Sequence, residues 1–316
     1  MNKFKLYFSL FCSVLILFSC NKADSPTPVA VRAFDTQYAT DIAIIEDYLN
    51  THYLEVASNQ DVTISKIVDP AVQSSMMSML NSETYPKLLV KEVVSNGVTY
   101  KIYYFKLRED YATGIAPSKA DSVLASYNGT YLSYKTETVN EVSTTTLLAT
   151  QFEYTPFPTL FLRLDTAVRG WREILPLFKS GQKIDVPGEP TSYIDFGAGI
   201  IFIPSGLGYF NLPQAGIPAY SPLVFSFKLY DVKFTDQDQD GILSNDEDLN
   251  GDGDFTNDDT DGDGVQNLYD VDDDGDSYLT KNEIKIDGVV PSSYSQILDC
   301  TGTTAGLKKH LDPNCN

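Results

Sequence analysis

An α+β fold is predicted by three features: a glycine-turned hairpin, a later alternating strand, and an amphipathic helix ahead of both. Residues 87–107 alternate as Leu88, Val90, Glu92, Val94 and again as Val98, Tyr100, Ile102, Tyr104. Ser95-Asn96-Gly97 interrupts them, which predicts two antiparallel strands joined by a tight turn. Residues 223–229 alternate in the same way and predict a further strand. Between 36 and 53, Tyr38, Ile42, Ile45 and Leu49 recur at helical spacing, with Asp41, Glu46 and Asp47 among the polar positions.

In chain order, residues 1–20 have a charged start and an apolar run over 6–18, the pattern of an export signal too short to span a membrane. Residues 21–34, with Ser, Pro and charge, read as a flexible tether. An N-terminal helical segment follows over 35–86: the amphipathic helix, a short strand over 62–65, and a second buried helix over 71–80 with three methionines as core. Residues 87–234 form the main domain. In it 110–119 connects, 123–132 returns as a strand, and the sequon Asn128-Gly129-Thr130 reads as strand and turn chemistry. Gly170-Trp171, Ile174, Leu175 and Phe178 predict a short helix ended by Gly181. Pro176 inside it removes a donor and should kink or shorten it. An insertion over 182–203 carries Pro187-Gly188-Glu189-Pro190 and has room to shape or cover a site. The remainder divides into an acidic array, 235–284, and a tail, 285–316.

At 316 residues and 42% hydrophobic content the chain can bury a full core. Of its 43 acidic residues, 17 fall between 236 and 276, leaving 26 against 23 bases elsewhere, so the acidity is local. No basic stripe exists for a nucleic acid. His52 and His310 are the only histidines and lie far from the central segment, so nothing supports a Ser-His or Cys-His nucleophile.

Asp236, Asp238 and Asp240, then Gly241 and Glu247 in the twelfth position, complete a calcium loop pattern. Alternate carboxylates wrap one hard cation, the glycine permits a sharp turn, and the last glutamate binds through both oxygens. Further loops follow at once: Asp248, Asn250, Asp252 with Asp259; Asp259, Asp261, Asp263 with Asp270; and Asp272, Asp274, Asp276 with Glu283, where Ser277 replaces the glycine. The starts at Asp236, Asp248 and Asp259 are too close for paired EF-hand helices, and the array resembles thrombospondin type 3 repeats. Calcium is expected as a structural ion that stiffens a self-repelling segment; the competing reading is a disordered acidic linker.

Taken together, Val168-Arg169-Gly170-Trp171, Gly181-Gln182-Lys183, Ile203-Pro204-Ser205-Gly206-Leu207-Gly208-Tyr209, Gly216-Ile217-Pro218 and Leu223-Val224-Phe225 resemble the signature of FKBP-type peptidyl-prolyl cis-trans isomerases. The resemblance covers roughly residues 87–234. It implies a half-open antiparallel sheet wrapped over a short helix. Trp171 would floor a prolyl pocket walled by Tyr127, Phe152, Val168, Ile217 and Phe225. Tyr209 would donate to a substrate carbonyl, Ala167 would present a backbone group at the edge, and Glu153 and Leu160 stand where the family has aspartate and an aromatic wall. The competing reading of each aromatic is ordinary core packing. No cofactor is implied for catalysis. The implied partners are proline-containing polypeptides; a non-catalytic prolyl-peptide chaperone and a calcium-stabilised surface lipoprotein are the alternatives.

Leu17-Phe18-Ser19-Cys20 resembles a bacterial lipobox, which implies acylation of Cys20 and a lipid anchor in an envelope membrane, expected to be the outer one, facing periplasm or cell surface. Cys12 would leave with the signal. Cys300 and Cys315 remain, to close a small loop in an oxidising compartment or to stay as two thiols. A monomer is expected.

Overall fold

The structure, a computed structural model, describes residues 30–315. The export signal, Cys20 and most of the tether lie outside the described residues. The elements are α1 (Phe34–Thr51), β1 (His52–Val56), β2 (Val62–Lys66), β3 (Lys87–Ser95), β4 (Val98–Lys106), β5 (Ser122–Val139), β6 (Val142–Thr155), β7 (Leu162–Arg163), α2 (Arg169–Ile174), β8 (Gln182–Ile184), β9 (Ser192–Ile194), β10 (Gly197–Ile203), β11 (Leu223–Lys233) and α3 (Thr280–Glu283). The main sheet runs β3-β4-β10-β11-β5-β6, with β7 beside β5, and every pairing is antiparallel. The result is an α+β architecture with a curled antiparallel sheet and few helices, compatible with an FKBP-like fold.

Two hairpin turns follow directly from asparagine chemistry. Asn96 and Gly97 take φ of 50° and 73°, and Asn140 and Glu141 take 49° and 65°. Two successive left-handed residues match the right-handed twist of the strands they join.

Period-two alternation sorts the side chains onto two faces. Tyr100, Ile102 and Tyr104 of β4, Ile201 and Ile203 of β10, and Phe225 and Phe227 of β11 pack with Trp171, Ile174 and Phe178 beneath α2. Tyr103, Phe105, Ile200, Phe202 and Val224 point the other way and pack against Ile45, Tyr48 and Leu49 of α1. Because both faces are covered, β10 is buried at every position. The expected insertion over 182–203 is therefore partly a central strand. Its sequence, Gly-Ala-Gly-Ile-Ile-Phe-Ile, carries no alternation because neither face meets water.

Other expectations change for identifiable reasons. The helix expected over 71–80 is a single 3₁₀ turn, Met76–Met79, with only Met76 fully buried. Pro70 precedes it, and Val68 and Val72 are exposed, so no apolar face continues. Helix α2 tightens into a 3₁₀ turn at Leu175–Leu177, where Pro176 withholds its donor, and ends at Phe178 before reaching Gly181. Gly181 serves close approach instead: a Cβ there would lie 2.6 Å from the Ile194 carbonyl oxygen. Asp41, read as a polar-face residue, is fully buried. It accepts from the Ser205 amide at 2.7 Å, the Ser205 hydroxyl at 2.6 Å and the Gln37 amide at 2.6 Å, tying α1 to the turn before Tyr209.

The acidic stretch belongs to the same compact unit as the sheet, Ala33–Asn316. Phe255 and Leu268 pack on Ala120, and the Thr235 hydroxyl donates to the Ala120 carbonyl at 2.7 Å. Ile242, Ile284 and Ile297 form a further small core under Val290 and Tyr294, and Cys300 and Cys315 are joined by a disulfide.

Candidate functional site

Gly170 lets α2 lie directly on β10, since a Cβ there would stand 2.6 Å from three carbons of Ile203. That contact fixes the next residue, Trp171, whose indole is 4% exposed. Phe225 meets it at 5.3 Å and 90°, Tyr127 at 5.4 Å and 78°, and Phe227 at 5.9 Å. Edge-to-face packing of this kind holds each ring in one orientation. Gly129 makes room for it: a Cβ would strike Phe152 at 2.7 Å and Phe225 at 2.9 Å.

Above the indole lies an open cleft of about 270 Å³, lined by Tyr127, Glu153, Leu162, Arg163, Thr166, Ala167, Val168, Trp171, Tyr209 and Phe225. Seven sequence-nominated residues thus meet at one place, although they come from four elements and two loops. Three do not line it. Phe152 stands behind Phe225 at 5.6 Å, and Ile217 is buried in the core beneath. Leu160 is 76% exposed on the loop before β7 and supplies no wall. Leu162, Arg163 and Thr166 were missed because β7 is two residues long and has no period to read. The β8–β9 hairpin lines no part of the cleft, so the expected cover from the insertion is absent. It leans instead on β11, where Tyr193 stacks on Tyr230 at 5.5 Å.

Two tyrosine hydroxyls belong to the cleft lining. That of Tyr127 donates to Glu153 Oε1 at 2.6 Å; burial, then this bond, pushes its pKa up to about 12. Burial, then the Glu153 charge, also raises Tyr209. The Tyr209 hydroxyl makes no hydrogen bond among the described residues, and Trp171 Nε1 is buried without an acceptor. At the rim Arg163 donates from Nε at 3.0 Å and from Nη2 to Asp165, which also accepts from the Tyr269 hydroxyl at 2.9 Å. Burial raises the Asp165 carboxyl, but Arg163 and the Tyr269 hydroxyl together outweigh it and the net shift is downward. The cleft can bind an apolar ring, exclude water and offer two uncommitted donors, the Tyr209 hydroxyl at its wall and the Trp171 N–H at its floor. No nucleophile-base pair lies within it.

The acidic array repeats one local geometry four times. The first carboxylate accepts from the amide five residues on: Gly241 to Asp236 at 3.2 Å, Gly253 to Asp248 at 2.7 Å, Gly264 to Asp259 at 3.0 Å and Ser277 to Asp272 at 3.1 Å. The fifth accepts from the amide two residues on, at 2.7 Å in every loop: Ile242 to Asp240, Asp254 to Asp252, Val265 to Asp263 and Tyr278 to Asp276. Ser277 adopts φ 79°, the left-handed turn that Gly241, Gly253 and Gly264 make at 104°, 71° and 97°. Buried Ser244, Asn267 and Thr280, not singled out in the sequence, pin the second residue of the first, third and fourth loops at 3.1, 2.9 and 3.1 Å.

Carboxylate oxygens approach one another in four triplets: Asp236, Asp238 and Asp240; Asp259, Asp261 and Asp263; Asp272, Asp274 and Asp276; and Asp240, Glu247 and Asp273. Burial, then Asp238 and Asp240, pushes Glu247 up to about 10; burial, then Asp274 and Asp276, pushes Glu283 up to about 8. Asp270 is raised by burial and feels Asp263 and Asp261. Asp248, Asn250 and Asp252 form no acidic triplet, since Asn250 is an amide and Asp252 accepts from Asn257 at 2.8 Å. Asp258, not Asp259, faces that second loop and accepts from the Leu249 amide at 3.2 Å. These donor sets are all oxygen, and many of the oxygens are buried without a partner, among them both of Glu247 and both of Glu283. Such sets fit a hard divalent cation such as calcium.

A family model described as BamM C-terminal matches residues 237–305; this match over the acidic stretch is not to a calcium-repeat family. No curated protein matches the chain. A solved peptidyl-prolyl cis-trans isomerase from Pseudomonas syringae pv. tomato is 16% identical over 65% of this chain and 99% of its own, with a TM-score of 0.34. FkpA from Escherichia coli is 26% identical over 45% of this chain and 51% of its own, with a TM-score of 0.29. At these TM-scores neither likeness carries weight for individual residues or for activity.

Proposed function

We propose that the chain is a prolyl cis-trans isomerase acting on Xaa-Pro bonds of exported or envelope polypeptides. The observation that carries this is the convergence on one cleft of seven motif residues, floored by Trp171 and overlooked by the uncommitted Tyr209 hydroxyl. Rotation about an Xaa-Pro bond faces a barrier of about 20 kcal/mol because resonance holds the amide planar. No covalent bond need form or break. A dry aromatic bowl disfavours the more polar planar amide, and a fixed donor at a substrate carbonyl favours the twisted state; both act on the transition state more than the ground state. The Tyr127–Glu153 pair keeps a ring of the wall in place and leaves Tyr209 as the hydroxyl donor.

The acidic array is a calcium-binding extension that stabilises this unit, with the loop carboxylates as ligands and Glu247, Asp270 and Glu283 closing their loops. Cys20 is the acylated anchor, which places the protein on a bacterial envelope membrane. Among the described residues no helix is long and apolar enough to cross one.

The test is a prolyl cis-to-trans assay on a short peptide with the full chain, in calcium and then in chelator. Wild type accelerates the exchange; Tyr209→Phe loses up to about tenfold, the worth of one hydrogen bond, and Trp171→Ala loses more while the fold persists. No acceleration by wild type in either condition would leave a prolyl-peptide binding module.

A further inference from the structure

Asp240, Glu247 and Asp273 are 1%, 2% and 1% exposed, and their oxygens lie within 4.8 Å of one another. Both oxygens of Glu247, both of Asp273 and Oδ2 of Asp240 have no hydrogen-bond partner. Five oxygens on three almost fully buried carboxylates therefore lack a donor, and one oxygen from each residue lies close to the other two. Desolvated like charges in contact must be neutralised, by protonation or by a cation lying among them, and a cation also meets the acceptor oxygens that find no donor here. Two oxygens bound to one calcium at 2.3–2.6 Å lie no further apart than about 5 Å, the spacing found here.

The loop pattern does not place Asp273 in this site. It is the second residue of the fourth loop, 33 positions after Asp240, and its own amide is pinned by Thr280 at 3.1 Å. That bond fixes the backbone so that the side chain leaves its own loop and reaches the first. The two loops touch again where the Lys281 ammonium donates to the Gln239 carbonyl at 3.3 Å. Between them, Ile242 of the first loop packs on Ile284 beyond the fourth.

We propose that Asp240, Glu247 and Asp273 hold a divalent cation bridging the first and fourth acidic loops, next to the one held by Asp236, Asp238 and Asp240, with Asp240 and Glu247 shared between them. The oxygen-only set selects calcium over zinc or copper. Joining residues 33 positions apart in the chain, this ion closes the array into a ring; the others each order one loop. The proposal rests on the array being a cation-binding one, and the experiment separates the two.

Calorimetric titration of the full chain with calcium is compared for wild type, Asp273→Asn, Asp261→Asn and the double variant. Wild type binds, Asp273→Asn takes up one calcium fewer or binds it at least tenfold more weakly, and the double variant loses both that ion and the one weakened by Asp261→Asn alone. If wild type binds calcium and Asp273→Asn is unchanged in number and affinity, the bridging ion is overturned and the loop ions stand. If wild type binds none, the cation role of the whole array falls with it. Should Asp273→Asn fail to fold, terbium-soaked crystals of the wild type decide: an anomalous peak between the three carboxylates supports the ion, and peaks confined to the loop triplets overturn it.

Discussion

Gly170→Ala sets two effects of opposite sign against each other. In a helix, alanine is favoured over glycine by about 1 kcal/mol, so a free-standing α2 would gain. In the fold the new methyl would lie 2.6 Å from Cγ1, Cγ2 and Cδ1 of Ile203, where about 3.5–4.0 Å is the favourable separation. Ile203 is fully buried in a strand covered on both faces, so neither partner can yield without moving the sheet or the helix. Overpacking of this kind costs about 1–3 kcal/mol, and three simultaneous contacts argue for the upper part. The net expectation is a loss of about 2 kcal/mol in urea unfolding, with prolyl turnover reduced because Trp171 is the adjacent residue. Combining the change with Ile203→Ala should recover part of the loss, with a coupling of about 1 kcal/mol or more in a double-mutant cycle. A stabilised Gly170→Ala protein, or strict additivity with Ile203→Ala, would show that α2 does not rest on β10 and would remove the support assigned to the cleft floor.

Ser205→Ala deprives buried Asp41 of a 2.6 Å hydroxyl donor while leaving the Ser205 amide and Gln37 in place; a charged hydrogen bond lost there costs about 2 kcal/mol. Urea unfolding measures it, and a change below about 0.5 kcal/mol would show that the remaining donors satisfy the carboxylate. Glu173, 8% exposed in its side chain, faces Lys91 at 3.1 Å, Lys119 at 3.2 Å and Arg169 at 3.6 Å. Burial raises its pKa, but Lys119 and Lys91 outweigh it and the net shift is downward. The stabilisation is therefore full above the ordinary glutamate value and is lost as pH falls through the depressed one. Glu173→Gln should cost about 2 kcal/mol at pH 7, below the usual range for a broken buried pair because the lysines are partly exposed. The gap to wild type should shrink below about pH 4; a gap that stays constant with pH would exclude an ionic origin.

Local chemistry accounts for what was legible in the chain. The Asn96-Gly97 hairpin, the helical spacing of Ile45 and Leu49, the break at Pro176 and the phasing of aspartate against Gly241, Gly253 and Gly264 each depend on residues within one or two turns of one another. The sequence motifs also named most of the cleft, because Trp171, Tyr209 and Phe225 sit in segments whose composition is distinctive in itself. Contacts between distant segments left no such mark. Strand β10 shows no alternation because α1 and α2 cover opposite faces of it, and Asp41 looks like a solvent-facing helix residue until Ser205 folds back onto it. Leu160 falls outside the cleft, while Leu162, Arg163 and Thr166 enter it, through the path of one irregular loop. Asp273 leaves its own loop for Glu247 and Asp240. Hydrogen bonding and side-chain periodicity are set by neighbours along the chain and can be read from it; the partner of a buried charge is set by which surfaces meet, and only the folded chain determines that.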